Sequence, residues 1–203
     1  MQQTKLKTLL KKLIWKILFN KFVLKSNLRK KILKIRQITN KKNIKINFDK
    51  ILNLLKKEKV TKKNIGGYYP VNFEVDILDI LKKFDKKNFK ISLPVIKKNY
   101  DMNFYKWSFN EPLKINKYGI PEPDSGILIY PDVLLVPLVA FDRKLNRLGY
   151  GGGFYDRLIK KLSKKKKILK IGLALATQKI KKVPINNHDQ KLDYIVTNKY
   201  IIK

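Results

Sequence analysis

Residues 132–157 read DVLLVPLVAFDRKLNRLGYGGGFYDR, and the order of residue types along them sets the fold class. From Val133 to Phe141 every residue is apolar, as expected of a strand buried on both faces, and Pro137 marks its end. Gly149 and Gly151 to Gly153 then form a cluster, and FYDRLIKKL (154–162) carries the spacing of a helix. Strand, glycine-rich turn and helix make up the repeating unit of open α/β sheets. In such sheets ligands bind beyond the carboxyl ends of the strands.

The flanking sequence extends this pattern in both directions. FKISLPVI (89–96), FYKWSF (104–109), ILKIGLAL (168–175) and YIVTN (194–198) read as strands, and a shorter strand is expected around Tyr68 to Val71, after Gly66-Gly67. EVDILDILKKF (74–84) reads as a helix with Ile77, Ile80 and Leu81 on one face. Helical spacing also links Leu24, Leu28, Ile32 and Ile35, and a further helix is expected over residues 49–57. Residues 110–132 are rich in Pro and Gly and read as a structured crossing loop. Strands alternating with helices predict an α/β fold with a mainly parallel sheet.

The chain has 203 residues, of which 44% are hydrophobic, enough for a real core and too many for a disordered polycation. It has no Cys and one His, which excludes a disulfide framework, a thiol nucleophile and a multi-His metal centre. Its formal net charge is +33. A nucleic-acid partner is one reading of that charge, but only five of the 48 basic residues are Arg and the other 43 are Lys. Lys, Asn and Ile are abundant together, as codons rich in A and T would make them, so Lys fills tolerant surface positions whatever the function. An Arg retained against this background suggests a place that needs a planar, forked guanidinium. The five are Arg29, Arg36, Arg143, Arg147 and Arg157, and three of them fall within residues 143–157.

Residues 1–48 contain no acid. Leu9, Leu10, Leu13, Ile14, Ile17 and Leu18 recur at helical spacing with Lys between them, which describes a basic amphipathic segment. Lys interrupts the apolar run, so the segment is neither a secretory signal nor a membrane span. The expected organisation is a basic extension over residues 1–22, at most a loose helix, followed by a single domain over residues 23–203.

Between the buried strand and the next helix lie the elements of a phosphate site. Backbone N–H groups of a glycine loop at a helix start are unpaired donors, and the helix dipole adds partial positive charge. Arg147 offers a fork for phosphate oxygens, and Asp156 stands about one turn into the helix, within reach of a Mg2+ held by those phosphates. The loop fits neither the P-loop pattern nor the dinucleotide fingerprint.

At these residues the chain resembles the 5-formyltetrahydrofolate cyclo-ligase family. Residues 132–157 look like the family signature almost throughout, and three shorter matches occur in the family's order: KSNLR (25–29), GYYPVNFEVD (67–76) and PINNHDQKLDYIVT (184–197). The resemblance implies a Rossmann-like, three-layer α/β/α architecture of the NagB/RpiA/CoA-transferase type. It implies ATP- and Mg-dependent cyclisation of 5-formyltetrahydrofolate to 5,10-methenyltetrahydrofolate, with a phosphorylated formyl oxygen on the way and ADP and phosphate released. It further implies a cytoplasmic enzyme acting on a reduced folate, polyglutamylated forms included, and expected as a monomer with a dimer left open.

Carried onto this chain, the resemblance assigns Lys25 and Arg29 to ATP phosphates. Arg147, Leu148, Gly149, Tyr150, Gly151, Gly152, Gly153, Phe154 and Tyr155 would wrap the nucleotide, with Arg147 and Asp156 as the catalytic pair. Asp156 and Asp193 would hold Mg2+. Glu74 would hydrogen-bond the pterin beside Tyr69, with Tyr150, Gly151, Gly152, Gly153 and Phe154 also at the folate. Trp107 is either a further aromatic wall of the site or a core residue. Many members carry Lys where this chain has Gly152, so a phosphate-directed charge is absent there. Asp76 is expected to serve the helix N-terminus, and His188 to be a loop residue. The rival reading is a basic nucleic-acid-binding protein on the same scaffold, without a specific use for Asp156.

Overall fold

The apolar run after Asp132 becomes β7 (Val133–Pro137), an inner strand of an eight-stranded sheet. The structure is a computed structural model that describes residues 2–40, 44–61, 64–124 and 126–203. Ahead of β7 in the chain come α1 (Gln2–Asn40), α2 (Phe48–Lys57), β1 (Asn64–Gly66), α3 (Leu78–Asp85), β2 (Lys90–Ile96) and β3 (Met102–Lys106). Three short strands follow, β4 (Leu113–Ile115), β5 (Pro121–Pro123) and β6 (Leu128–Ile129). Beyond β7 lie β8 (Ala140–Phe141), β9 (Arg147–Leu148), α4 (Phe154–Ser163), β10 (Leu169–Ala174), β11 (Tyr194–Thr197) and β12 (Ile201–Ile202).

The main sheet runs β12-β11-β10-β7-β1-β2-β3-β6. All pairings from β11 through β2 are parallel, and antiparallel strands close both edges. The two faces of β7 explain its composition. Val133 and Leu135 pack into one core with α2 and α3, while Leu134 and Val136 pack into another with α4. All four side chains are fully buried, so a polar residue at any of them would meet hydrocarbon on either side. The three-layer α/β/α arrangement is therefore present. The hairpin β8–β9 and the middle of α1, through Ile32, share a third, smaller core at the edge of the site.

Local chemistry accounts for the helix starts. The Asn47 side chain caps α2 by accepting from the Asp49 N–H at 2.7 Å, and Asp76 accepts from the Leu78 N–H at 2.9 Å at the start of α3, the role expected of it. The strand expected at residues 68–71 lies earlier, at Asn64–Gly66. Gly66 pairs with β2 on one side and β7 on the other, and a Cβ there would lie 2.7 Å from the Pro131 ring. Past Gly66 the chain leaves the sheet, and residues 68–77 become an irregular rim. The strand expected from residue 104 starts at Met102 and stops at Lys106. The crossing loop contains the hairpin β4–β5 and the edge strand β6. The first helix, α1, is unbroken from Gln2 to Asn40, with residue 22 inside it.

Phe84 is fully buried on α3, with its ring 4.8 Å from Phe48 and 5.0 Å from Phe89. Phe84→Ala is expected to lower stability by about 3–5 kcal/mol in urea denaturation.

Candidate active site

A cavity of about 880 Å³ opens at the carboxyl edge of the parallel strands. Tyr68 and Tyr69 after β1, Ile96 at the end of β2 and Pro137 at the end of β7 line its floor and sides. Phe22, Lys25 and Arg29 of α1 close it from one side, and the glycine loop with the start of α4 closes it from another. This is the crevice that a sheet of this type offers to ligands.

The glycine loop is shaped by backbone that other residues adopt poorly. Gly151 has φ of +112°, and Gly153, the cap of α4, has φ of +67°. A Cβ at Gly152 would lie 2.7 Å from the Phe154 ring, so a longer side chain there would first have to displace that ring. Cations nevertheless surround the loop. Arg29 Nε donates to the Gly149 carbonyl at 2.8 Å, and Arg157 donates to the Gly152 carbonyl and, at 3.1 Å, to that of Tyr100.

Arg147 lies almost entirely inside the protein. Its Nη1 donates to the Gln190 carbonyl at 2.6 Å and its Nη2 to Asp156 Oδ1 at 2.9 Å. The Gln190 N–H donates to the same Asp156 oxygen at 2.8 Å. The fork thus ties the glycine loop, α4 and the 186–190 segment together, and fixes the Asp156 carboxylate at the cavity. One helical turn apart on α1, Lys25 and Arg29 face the same space, and Lys25 Nζ pairs with Asp189 Oδ2 at 2.7 Å.

A second polar group lies deeper. Glu74 is buried and accepts from the Val71 N–H at 3.0 Å. Burial pushes its carboxyl up to about 7, against the opposing pull of the Val71 N–H, Arg36 and Tyr150. Burial, and then the charge of Glu74, pushes the Tyr150 phenol up to about 12 and also raises those of Tyr68 and Tyr155. Arg36, on α1, bridges this group from behind, with Nη2 donating to the Asn72 carbonyl at 2.5 Å and to the Tyr150 hydroxyl. Sequence reasoning did not select Arg36 for the site, although its signal was there: it is one of the few Arg in a chain that otherwise uses Lys.

The residues expected at the site gather there with two exceptions. Lys25, Arg29, Tyr69, Glu74, Arg147 to Tyr155 and Asp156 all line the cavity. Trp107 does not. It is buried in the core against Phe109, 4.6 Å between ring centres, and its indole N–H donates to the Glu111 carbonyl at 3.1 Å. Asp193 does not line it either. It precedes β11 at the amino end of a parallel strand, where it accepts from the Lys170 N–H at 2.8 Å and pairs with Lys170 Nζ at 3.1 Å. The cavity lies at the carboxyl ends, and the carboxylate that reaches it from this segment is Asp189. His188 is an exposed loop residue, as expected. Tyr100 and Tyr118, which sequence reasoning did not pick, flank Phe154 at 5.8 and 5.9 Å between ring centres and extend the aromatic wall.

Fold and site together define a Rossmann-like α/β protein whose glycine loop, ion-paired carboxylates and helix-borne cations suit a phosphate-bearing ligand. The chain belongs to the 5-formyltetrahydrofolate cyclo-ligase family, whose model matches residues 21–198. It is 34% identical over 149 residues to the 5-formyltetrahydrofolate cyclo-ligase of Haemophilus influenzae, covering 70% of this chain and 78% of that one. The Mycoplasma genitalium 5-formyltetrahydrofolate cyclo-ligase is 35% identical over 140 residues, covering 68% and 74%. Among solved structures, the 5,10-methenyltetrahydrofolate synthetase of Aquifex aeolicus superposes with a TM-score of 0.72 at 32% identity, over 89% of this chain and 92% of that one.

Glu74 supplies a prediction whose sign follows from its burial. Its folded-state value of about 7 lies above the ordinary 4.5, so the folded protein keeps the proton longer than the unfolded chain. Stability therefore declines as pH rises from about 4.5 to 7 and levels off above that range. Glu74→Gln removes the decline. The stability of the variant relative to the parent is expected to grow by about 1–3 kcal/mol between pH 5 and pH 8 in urea denaturation. A difference that stays constant with pH would show that Glu74 is ionised throughout.

Proposed function

We propose that this chain catalyses the ATP-dependent cyclisation of 5-formyltetrahydrofolate to 5,10-methenyltetrahydrofolate, with Mg2+, in the cytoplasm. The observation that carries this reading is one cavity lined both by a cation-flanked glycine loop with two carboxylates and by a buried Glu74 among tyrosines. Family membership supports the same assignment.

The reaction asks for the formyl oxygen to take the γ-phosphoryl group of ATP, with ADP leaving. The neighbouring folate nitrogen then attacks the activated carbon, loses its proton, and phosphate departs. Little protein nucleophilicity is needed, and positioning and charge neutralisation supply the rate. Lys25, Arg29 and the N–H groups of residues 151–153 would clamp the phosphates. Glu74 would accept from the donor-rich edge of the pterin, with Tyr69 and Tyr150 against the ring. Arg147 would hold Asp156 in place through its fork.

The carboxylates present suit Mg2+. Among the described residues no group of three or more His, Cys, Asp or Glu converges, which argues against an all-protein metal cage. Asp156 and Asp189 both line the cavity, and Mg2+ is commonly held by one or two carboxylates together with substrate phosphates. Among the described residues both hydrogen bonds to Asp156 fall on Oδ1, so Oδ2 is the oxygen open to a cation. When bound, the ion would neutralise charge on the transferring phosphoryl group.

Purified protein with 5-formyltetrahydrofolate and Mg-ATP is expected to generate methenyl-folate absorbance in the near ultraviolet. Arg147→Ala and Asp156→Ala are expected to lose at least about 100-fold in rate while their far-ultraviolet circular dichroism is retained. Normal turnover in both variants would sink the reading. Absence of saturable ATP or folate binding, with nucleic-acid binding that weakens steeply with salt, would favour the rival nucleic-acid function.

A further inference from the structure

Arg36 and the backbone it holds carry an inference that rests on the folate role of Glu74 proposed above. The guanidinium is fully buried and reaches three separate segments. Nη1 donates to the Leu138 carbonyl in the turn after β7 at 3.2 Å, and Nη2 donates to Asn72 in the rim after β1 and to Tyr150 in the glycine loop. It also lies over the Tyr150 ring, 5.5 Å from the centre.

The rim segment it grips is strained. Asn72 and Phe73 are consecutive non-glycine residues with φ of +49° and +61°. That region is unfavourable for L side chains, and such residues persist where their surroundings over-determine them. The Asn72 carbonyl is in the grip of Arg36, and the Glu74 N–H closes the turn by donating to Val71 at 2.9 Å. Glu74 is the residue that follows the strained pair, so its direction depends on the turn being held.

The chemistry of Arg36 fits a clamp better than a filler. Among the described residues its Nε has no hydrogen-bond partner, so the side chain is retained despite a buried donor left unpaired. A Lys would present one compact charge and could not span acceptors on three segments. Yet this chain uses Lys for 43 of its 48 basic residues and keeps Arg here.

We propose that Arg36 is a positioning residue for folate recognition: it holds the Asn72–Phe73 turn and the Tyr150 ring so that Glu74 and Tyr150 face the substrate together. Among the described residues Arg36 hydrogen-bonds the glycine loop only through the Tyr150 hydroxyl, so ATP binding at Lys25, Arg29 and the glycine backbone is expected to be spared.

The test is steady-state kinetics of the full chain with Arg36→Lys, in the parent and in a Glu74→Gln background. In the parent, KM for 5-formyltetrahydrofolate is expected to rise about tenfold or more, the size of one charged hydrogen bond, while KM for ATP changes less than about twofold. In the Glu74→Gln background, Arg36→Lys is expected to add clearly less than it does in the parent, because one of the two groups it positions is already altered. An unchanged folate KM, equal rises in both KM values, or full additivity with Glu74→Gln would each overturn the proposal and leave Arg36 a purely structural brace. If circular dichroism shows that Arg36→Lys does not fold, Tyr150→Phe removes the hydroxyl that stands between Arg36 and Glu74 and is read the same way. A rise in folate KM of about threefold or more supports the clamp, and an unchanged one overturns it. If the parent protein neither turns over nor binds 5-formyltetrahydrofolate in calorimetry, the folate reading itself fails and this proposal falls with it. Turnover by the parent with an insensitive Arg36→Lys removes the proposal alone.

Discussion

The double-sided burial of β7 constrains everything else in this structure. Val133 to Val136 have hydrocarbon on both faces, with α2 and α3 on one side and α4 on the other. No functional side chain can stand within such a strand, because an unpaired polar group there would be desolvated without compensation. Chemistry is therefore confined to where the strands end. At the carboxyl edge the connections must turn back over the sheet, and there the chain places its glycine loop, its α1 cations and its carboxylates around one cavity.

Charge works on two scales here. The +33 of the whole chain is mostly Lys on the surface, where ion pairs contribute little and salt screens them. At the cavity the pairs are fewer and more enclosed. Arg147 with Asp156, and Lys25 with Asp189, join the glycine loop and α1 to the segment around residues 186–190. Each of these pairs puts a cation and a carboxylate against the space a ligand would occupy, so a phosphate or a metal ion arriving there meets a preorganised partner of either sign. Glu74 differs, since burial holds its carboxyl near neutrality, close to the point at which it changes charge.

The legible part of the site was the part written in contiguous residues. The glycine loop with Arg147, Asp156 and its aromatic neighbours lies in one short window of unusual composition, and the structure puts all of it on the cavity. Lys25, Arg29, Tyr69 and Glu74 came from a family resemblance, and they also line it. Less legible were residues whose place depends on which end of a strand they occupy. Asp189 and Asp193 share one short polar stretch, yet one enters the cavity and the other pairs with Lys170 at the opposite edge of the sheet. Trp107 was equally ambiguous, and core packing claimed it.

Composition and periodicity alone specified an α/β chain with a buried inner strand, a glycine-rich ligand loop and a helix behind it, because burial and backbone freedom depend on residue type. They also marked Arg as the exception worth explaining. The grouping of Arg36 with Asn72, Leu138 and Tyr150 was decided by tertiary structure, as was the choice of Asp189 over Asp193. These partners are far apart in the chain and meet through the packing of α1 over the carboxyl edge of the sheet. Local residue patterns record whether a side chain is buried, but which distant carbonyl or hydroxyl it finds there depends on how the layers are stacked.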